Sequence, residues 1–171
     1  MSKKQNKLIL TIFGIIFLIA IGTIAVVNKS SNEKIDDSRY SAGLISVLEN
    51  SFDFGTISMK DGKVSHRFEF KNEGSESLLI NEVSTSCMCT TAFVYSNSKG
   101  KSGPFGMGGH GVSAKTNIKI DAEENFSVEV FFDPNAHGPL GVGLNQRAVY
   151  LGTNSQKTPK VELQIQANVV R

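Results

Sequence analysis

"VELQIQANV" (161–169) alternates residue by residue: Val161, Leu163, Ile165, Ala167 and Val169 fall on one side, Glu162, Gln164 and Gln166 on the other. A period of two sends successive side chains to opposite faces of an extended chain, so this is a strand with one face to bury and one for water. The same period recurs upstream. Val64, His66, Phe68 and Phe70 share a face, with Arg67 and Glu69 opposed. Ile118 and Ile120 are a short instance, and Phe126, Val128, Val130 and Phe132 a longer one with Glu129 opposite. Between them stand the turn signals "NEG" (72–74), "DPN" (133–135) and "TNS" (153–155). Helix-period patterns are missing from residue 45 onward. Short strands punctuated by turns predict an all-β, immunoglobulin-like antiparallel β-sandwich over residues 45–171.

Ahead of it, "LILTIFGIIFLIAIGTIAVV" (8–27) is apolar and free of charge. At ~1.5 Å per residue it matches the ~30 Å hydrocarbon core of a bilayer, and a single transmembrane helix is expected there. Lys3, Lys4 and Lys7 precede it, which keeps residues 1–7 in the cytoplasm and exports the rest. A cleaved signal peptide is the competing reading, but its apolar region is usually shorter, ~7–15 residues, and "TIAVVNKS" offers no A-x-A site. Residues 28–44, "NKSSNEKIDDSRYSAGL", are polar without apolar periodicity and read as a stalk. Setting the three leading lysines aside leaves 15 basic against 16 acidic residues. With no basic stripe to neutralise phosphates, nucleic acid is not an expected partner.

Five stretches in order, "FDFGTI" (52–57), "HRFEFKNEG" (66–74), "SCMCTT" (86–91), "VEVFFDP" (128–134) and "VYLGTNS" (149–155), resemble a bacterial family known as domain of unknown function 1573, an Ig-like domain similar to hydin and ASPM-type modules. The resemblance spans about residues 48–170. It implies an Ig-like fold outside the cytoplasm and brings no established activity. Two departures stand out: Met88 where relatives usually carry Gly, and "DAEEN" (121–125) in place of a Pro-Gly-Glu turn.

Cys87 and Cys89 are the chain's two cysteines. In an extended strand they would share one face with Cα atoms ~6.6 Å apart, from two rises of ~3.3 Å. That lies near the upper end of the ~4.4–6.8 Å a disulfide accepts, so a bond between them would be strained and easily reduced. It would close almost no loop and add little stability through chain entropy. Three readings stay open: two buried thiols that only pack, a redox pair, or a soft-metal site. For copper or zinc the candidate donors are Cys87, Cys89, Met107, His110 and His137, although no histidine pair has ligand spacing.

The glycine-rich segment "SNSKGKSGPFGMGGHGVSAKT" (96–116) reads as a loop at one pole of the sandwich, with Phe105, Met107 and His110 as candidate binding residues. Its Gly106, Gly108 and Gly111 spell G-x-G-x-x-G. A dinucleotide site is rejected because the strand before and helix after that it requires are missing. His66, in phase with Phe68 and Phe70, reads as a half-buried sheet residue. No nucleophile elbow, zinc-protease motif or paired carboxylates stand out, so no catalytic residue and no resident cofactor are expected.

The sequence therefore predicts a single-pass protein of the bacterial cell membrane, held through residues 8–27, with a non-enzymatic module outside the cytoplasm. That module would bind or scaffold an envelope protein. The alternative is a thiol-redox or copper-handling envelope protein centred on Cys87 and Cys89.

Overall fold

A computed structural model describes residues 40–108 and 115–171. The expected cytoplasmic tail, membrane anchor and most of the stalk lie outside these residues, as does His110. Among the described residues no helix is long and apolar enough to cross a membrane.

Among the described residues, ten strands carry the fold: β1 (Ile45–Val47), β2 (Ser51–Ser58), β3 (Val64–Asn72), β4 (Leu78–Thr85), β5 (Thr90–Ser96), β6 (Gly100–Phe105), β7 (Lys115–Ile120), β8 (Asn125–Phe132), β9 (Gly143–Thr153) and β10 (Lys160–Val170). They form two five-stranded sheets, β1-β3-β8-β5-β6 and β2-β10-β9-β4-β7. The only helical turns among the described residues are two short 3-10 pieces, Met59–Asp61 and Gly138–Gly141.

The predicted inward faces are the buried ones. Phe68, Phe70, Ile118, Ile120, Val128, Val130, Leu163, Ile165 and Val169 all lose their solvent in one core between the sheets. Burying each such side chain is worth roughly 1.5–3 kcal/mol. Phe70 stacks on Phe126 across the β3–β8 pair, ring centroids 4.9 Å apart. His66 is half-buried as expected, its ring stacked on Phe52 and edge-on to Phe68, and it bonds Glu49.

Two sequence expectations need correcting. The sandwich is not wholly antiparallel: β2 runs parallel to β10. After β1, at the edge of the first sheet, the chain crosses to the edge of the second without reversing; Gln164 N–H donates to Asn50 O, 2.8 Å, where β2 starts. Nor is 96–116 a loop throughout, because Gly100–Phe105 folds back on β5 as an edge strand. Glycine makes that pairing feasible: at Gly103 (φ +120°) a Cβ would meet Ala92 O at 2.8 Å. Phe105 then turns into the core, 7% exposed, so it is not offered to a partner.

Candidate functional site

β4 and β5 belong to different sheets, and the chain between them is Ser86–Cys89. "SCMC" is therefore the crossover at one pole of the sandwich and not the extended strand assumed for the spacing estimate. The turn is tightly tied. Thr90 N–H donates to Cys87 O at 3.1 Å and Ser86 N–H to Ala148 O at 2.9 Å. Ala148 N–H returns to Ser86 Oγ at 2.9 Å, and Thr85 Oγ1 lies 2.9 Å from Cys87 O. Asp133 N–H donates to Cys89 O at 2.8 Å, anchoring the start of the β8–β9 connection to the same turn.

That connection brings in a histidine fifty residues away. In "DPNAHG" (133–138), Asp133 accepts from Asn135 N–H, Asn135 Nδ2 donates to Met59 O, and Gly138 adopts φ +53°, which lets the chain reverse just after His137. His137 Nε2 sits 3.0 Å from Cys87 Sγ, donating to it in the Nε2–H tautomer. Cys89 Sγ donates to Cys87 Sγ at 2.6 Å, and Cys89 N–H approaches the same sulfur at 3.4 Å. Arg147 from β9 completes the group, its Nε 3.1 Å from Cys89 Sγ. The rest of its guanidinium is held by two neutral oxygens, Gln146 O and Asn145 Oδ1, each at 2.7 Å. Its charge is thus directed at the sulfurs.

The two thiols differ in ionisation. Burial pushes the Cys87 thiol up, but the hydrogen bonds from Cys89 and His137, with the Arg147 charge nearby, outweigh it and bring it down to about 7. Burial pushes Cys89 up as well, and its role as donor to Cys87 adds to this, against the opposing pull of Arg147 and Thr90. Cys87 is half-exposed and Cys89 buried. The pair is thus an accessible sulfur with a lowered pKa resting on a buried thiol whose pKa is raised.

Of the five candidate metal donors, Cys87, Cys89 and His137 come together, their ligand atoms all within 4.8 Å of one another. Met107 comes just after β6 as a half-buried residue, and Met88 is 59% exposed. Sequence reasoning missed Arg147. The signal was present: Arg147 is in phase with Val149 and Leu151, placing a charge on a core-directed position of β9.

The family described as "Protein of unknown function (DUF1573)" matches residues 45–105. Over that span the chain is similar to this family. The match takes in β1 through β6 and both cysteines, and is shorter than the 48–170 expected from the motifs. No curated protein matches. Among solved structures, a protein of unknown function from Porphyromonas gingivalis W83 is similar at 14% identity and TM-score 0.55, covering 78% of this chain and 51% of that one. The chain thus spans about half of that relative's length. A family 123 glycoside hydrolase from Clostridium perfringens is similar at 6% identity and TM-score 0.52, over 77% of this chain and 27% of the hydrolase. A PapD-like domain of human CEP192 reaches TM-score 0.45 at 12% identity, over 74% and 85%. At such identities the two higher-scoring likenesses show a shared sandwich and nothing of activity.

Proposed function

We propose that this protein is a membrane-held, extracytoplasmic thiol–disulfide exchange module whose working site is the Cys87–Cys89 turn, acting on an envelope protein that bears a thiol or a disulfide. The observation that carries this reading is the accessible Cys87 sulfur lying against buried Cys89 and flanked by His137 and Arg147. Thiols that merely pack need neither exposure nor a guanidinium beside them. Of the two functions expected from the sequence, the redox one is taken over passive scaffolding for that reason. Protein binding is kept as the partner-facing half of the reaction.

Exchange runs in two steps. The Cys87 thiolate attacks one sulfur of a partner disulfide, forming a mixed disulfide and expelling the partner's second sulfur as thiolate. Cys89 then loses its proton to solvent or to that thiolate, attacks Cys87 Sγ, and expels the first partner sulfur. Two thiols of the module are oxidised to one disulfide while one partner disulfide becomes two thiols. In reverse, a partner thiolate attacks exposed Cys87 and Cys89 leaves as a thiolate facing Arg147. Hydrogen bonds that stabilise the reduced form make the disulfide a better oxidant, so disulfide donation is the favoured direction.

The residues just past His137 favour a protein partner over a small thiol. Leu140, Val142 and Leu144 are 94%, 43% and 66% exposed. Exposed apolar side chains following His137 in the chain suit docking of a polypeptide. Anchoring through residues 8–27 would hold the site at the membrane surface. Protease added outside spheroplasts should then remove the chain from about residue 30 onward and leave a short membrane stub.

The chemical test equilibrates the purified chain in glutathione buffers, with acid quenching and mass measurement. The expected result is a single transition to a form two hydrogens lighter. Its midpoint should be more oxidising than about −200 mV, far from the range below about −300 mV where structural disulfides sit. Thiols that stay reduced in every buffer and alkylate only after denaturation would sink the proposal.

A further inference from the structure

The same pole presents two soft sulfurs and an imidazole nitrogen from elements far apart in sequence. We infer that the reduced site also binds one Cu(I) ion, held by Cys87 Sγ, Cys89 Sγ and His137 Nε2, with Arg147 balancing its charge. This uses the sulfurs of the proposed dithiol but does not depend on their redox cycling.

Donor type comes first. Thiolates select Cu(I), zinc or iron–sulfur clusters, and imidazole suits copper and zinc. Donor number and charge then choose between the first two. The described residues bring three such donors together, a trigonal set, whereas zinc takes four ligands in nearly all structural sites. Two thiolates with Cu(I) carry a net charge of −1. The Arg147 guanidinium, 3.1 Å from Cys89 Sγ and also held by the neutral oxygens Gln146 O and Asn145 Oδ1, brings the half-buried site to neutrality. With Zn(II) the same cluster would keep a net charge of +1, which is costly where water is partly excluded.

The required movement is small and falls on the parts free to make it. With metal–donor bonds of about 2.0–2.3 Å, three trigonal donors stand about 3.5–4 Å apart. Cys87 Sγ now lies 2.6 Å from Cys89 Sγ and 3.0 Å from His137 Nε2, so these two edges must lengthen by roughly 1 Å, with the third already within 4.8 Å. Cys89 is buried and held by its neighbours, whereas Cys87 is half-exposed and His137 is exposed on its connection. Opening therefore displaces the exposed side chains and leaves the core alone. Any thiol still protonated gives its proton to solvent as the metal binds.

The experiment titrates the fully reduced chain anaerobically with Cu(I) in competition with a colorimetric Cu(I) chelator such as bicinchoninate. One Cu(I) per chain is expected. Cys87→Ser and Cys89→Ser should each weaken binding by about 100-fold or more, and His137→Ala by about 10- to 100-fold. Met88→Ala should leave it unchanged. His137 is exposed, so its replacement keeps the fold, and His137→Ala should still form the disulfide in glutathione buffer, which separates failure of the copper site from failure of the dithiol. Three results would each overturn the inference: Cys87→Ser binding as tightly as the parent, Met88→Ala weakening binding while His137→Ala does not, or zinc displacing equimolar Cu(I).

Discussion

The two poles of the sandwich handle buried polar groups in opposite ways. At the pole opposite the cysteines, Asn72 is fully buried where β3 ends. Its Oδ1 accepts from Leu44 and Gly74 N–H, and its Nδ2 donates to Glu76 and Asp121 carbonyls. Beside it, buried Glu124 accepts from Asn97 N–H on one oxygen and Asp121 N–H on the other. Ser155, also fully buried, donates to Gly43 O and accepts from Lys157 and Thr158 N–H. Every partner there is supplied by the chain itself, and the residues lock the strand ends. At the cysteine pole the backbone of the turn is just as well tied, but the side-chain cluster ends in a half-exposed sulfur. One pole is closed, and the other leaves a reactive atom facing out. A fold with a saturated end can hold a strained or reactive end in place, because the two need not share residues.

That contrast can be broken by experiment. The core between the poles sets the scale: Phe68→Ala should destabilise by about 3–5 kcal/mol in urea unfolding, and a cost below ~1 kcal/mol would deny it a core position. Next comes the closed pole. Asn72→Ala strands several buried groups, each worth ~1–3 kcal/mol, so a loss of about 3 kcal/mol or more is expected. The alkylation rate of Cys87 should meanwhile stay unchanged in the folded protein; coupled changes would mean that the poles are not independent.

The open pole should titrate. Thiolate absorbance near 240 nm should rise with a first midpoint near 7 in the folded chain, from Cys87, and Arg147→Gln or His137→Ala should move it upward. The sign for stability comes from the depressed folded value against 9.0 for an ordinary thiol. The Cys87 contribution is fully present above about 9 and is lost as pH falls through 7. Stability relative to Cys87→Ser should therefore rise between pH 7 and 9, and a flat difference would contradict the lowered ionisation. The smallest effect is reserved for the sulfurs as structure. Replacing both by serine at pH 6 should cost less than about 1 kcal/mol beyond the loss of Cys89 burial, since no long loop is closed. A large loss would restore the packing interpretation.

Much of this molecule was written in period-two patterns. Val161–Val169, Phe126–Phe132 and Val64–Phe70 face inward as their alternation requires, because one face of a pleated strand has to be dry. The same rule overlooked Gly100–Phe105, whose glycines look like loop but permit close pairing with β5. "NEG" was legible as a turn, while the role of Asn72 as a buried hub was not, since its partners lie at Leu44, Glu76 and Asp121. The two cysteines and their soft-donor character could be read directly. Which histidine joins them could not: His110 and His137 are equivalent by composition, and it is the tie between Asp133 and Cys89 that brings His137 to the sulfurs. What the sequence determined alone was local, the alternation of each strand and the closeness of two thiols. What tertiary structure decided was the electrostatics of those thiols, because a sulfur's ionisation depends on charges and donors within a few ångströms, and His137 and Arg147 reach that distance only when β8 and β9 are folded against the crossover.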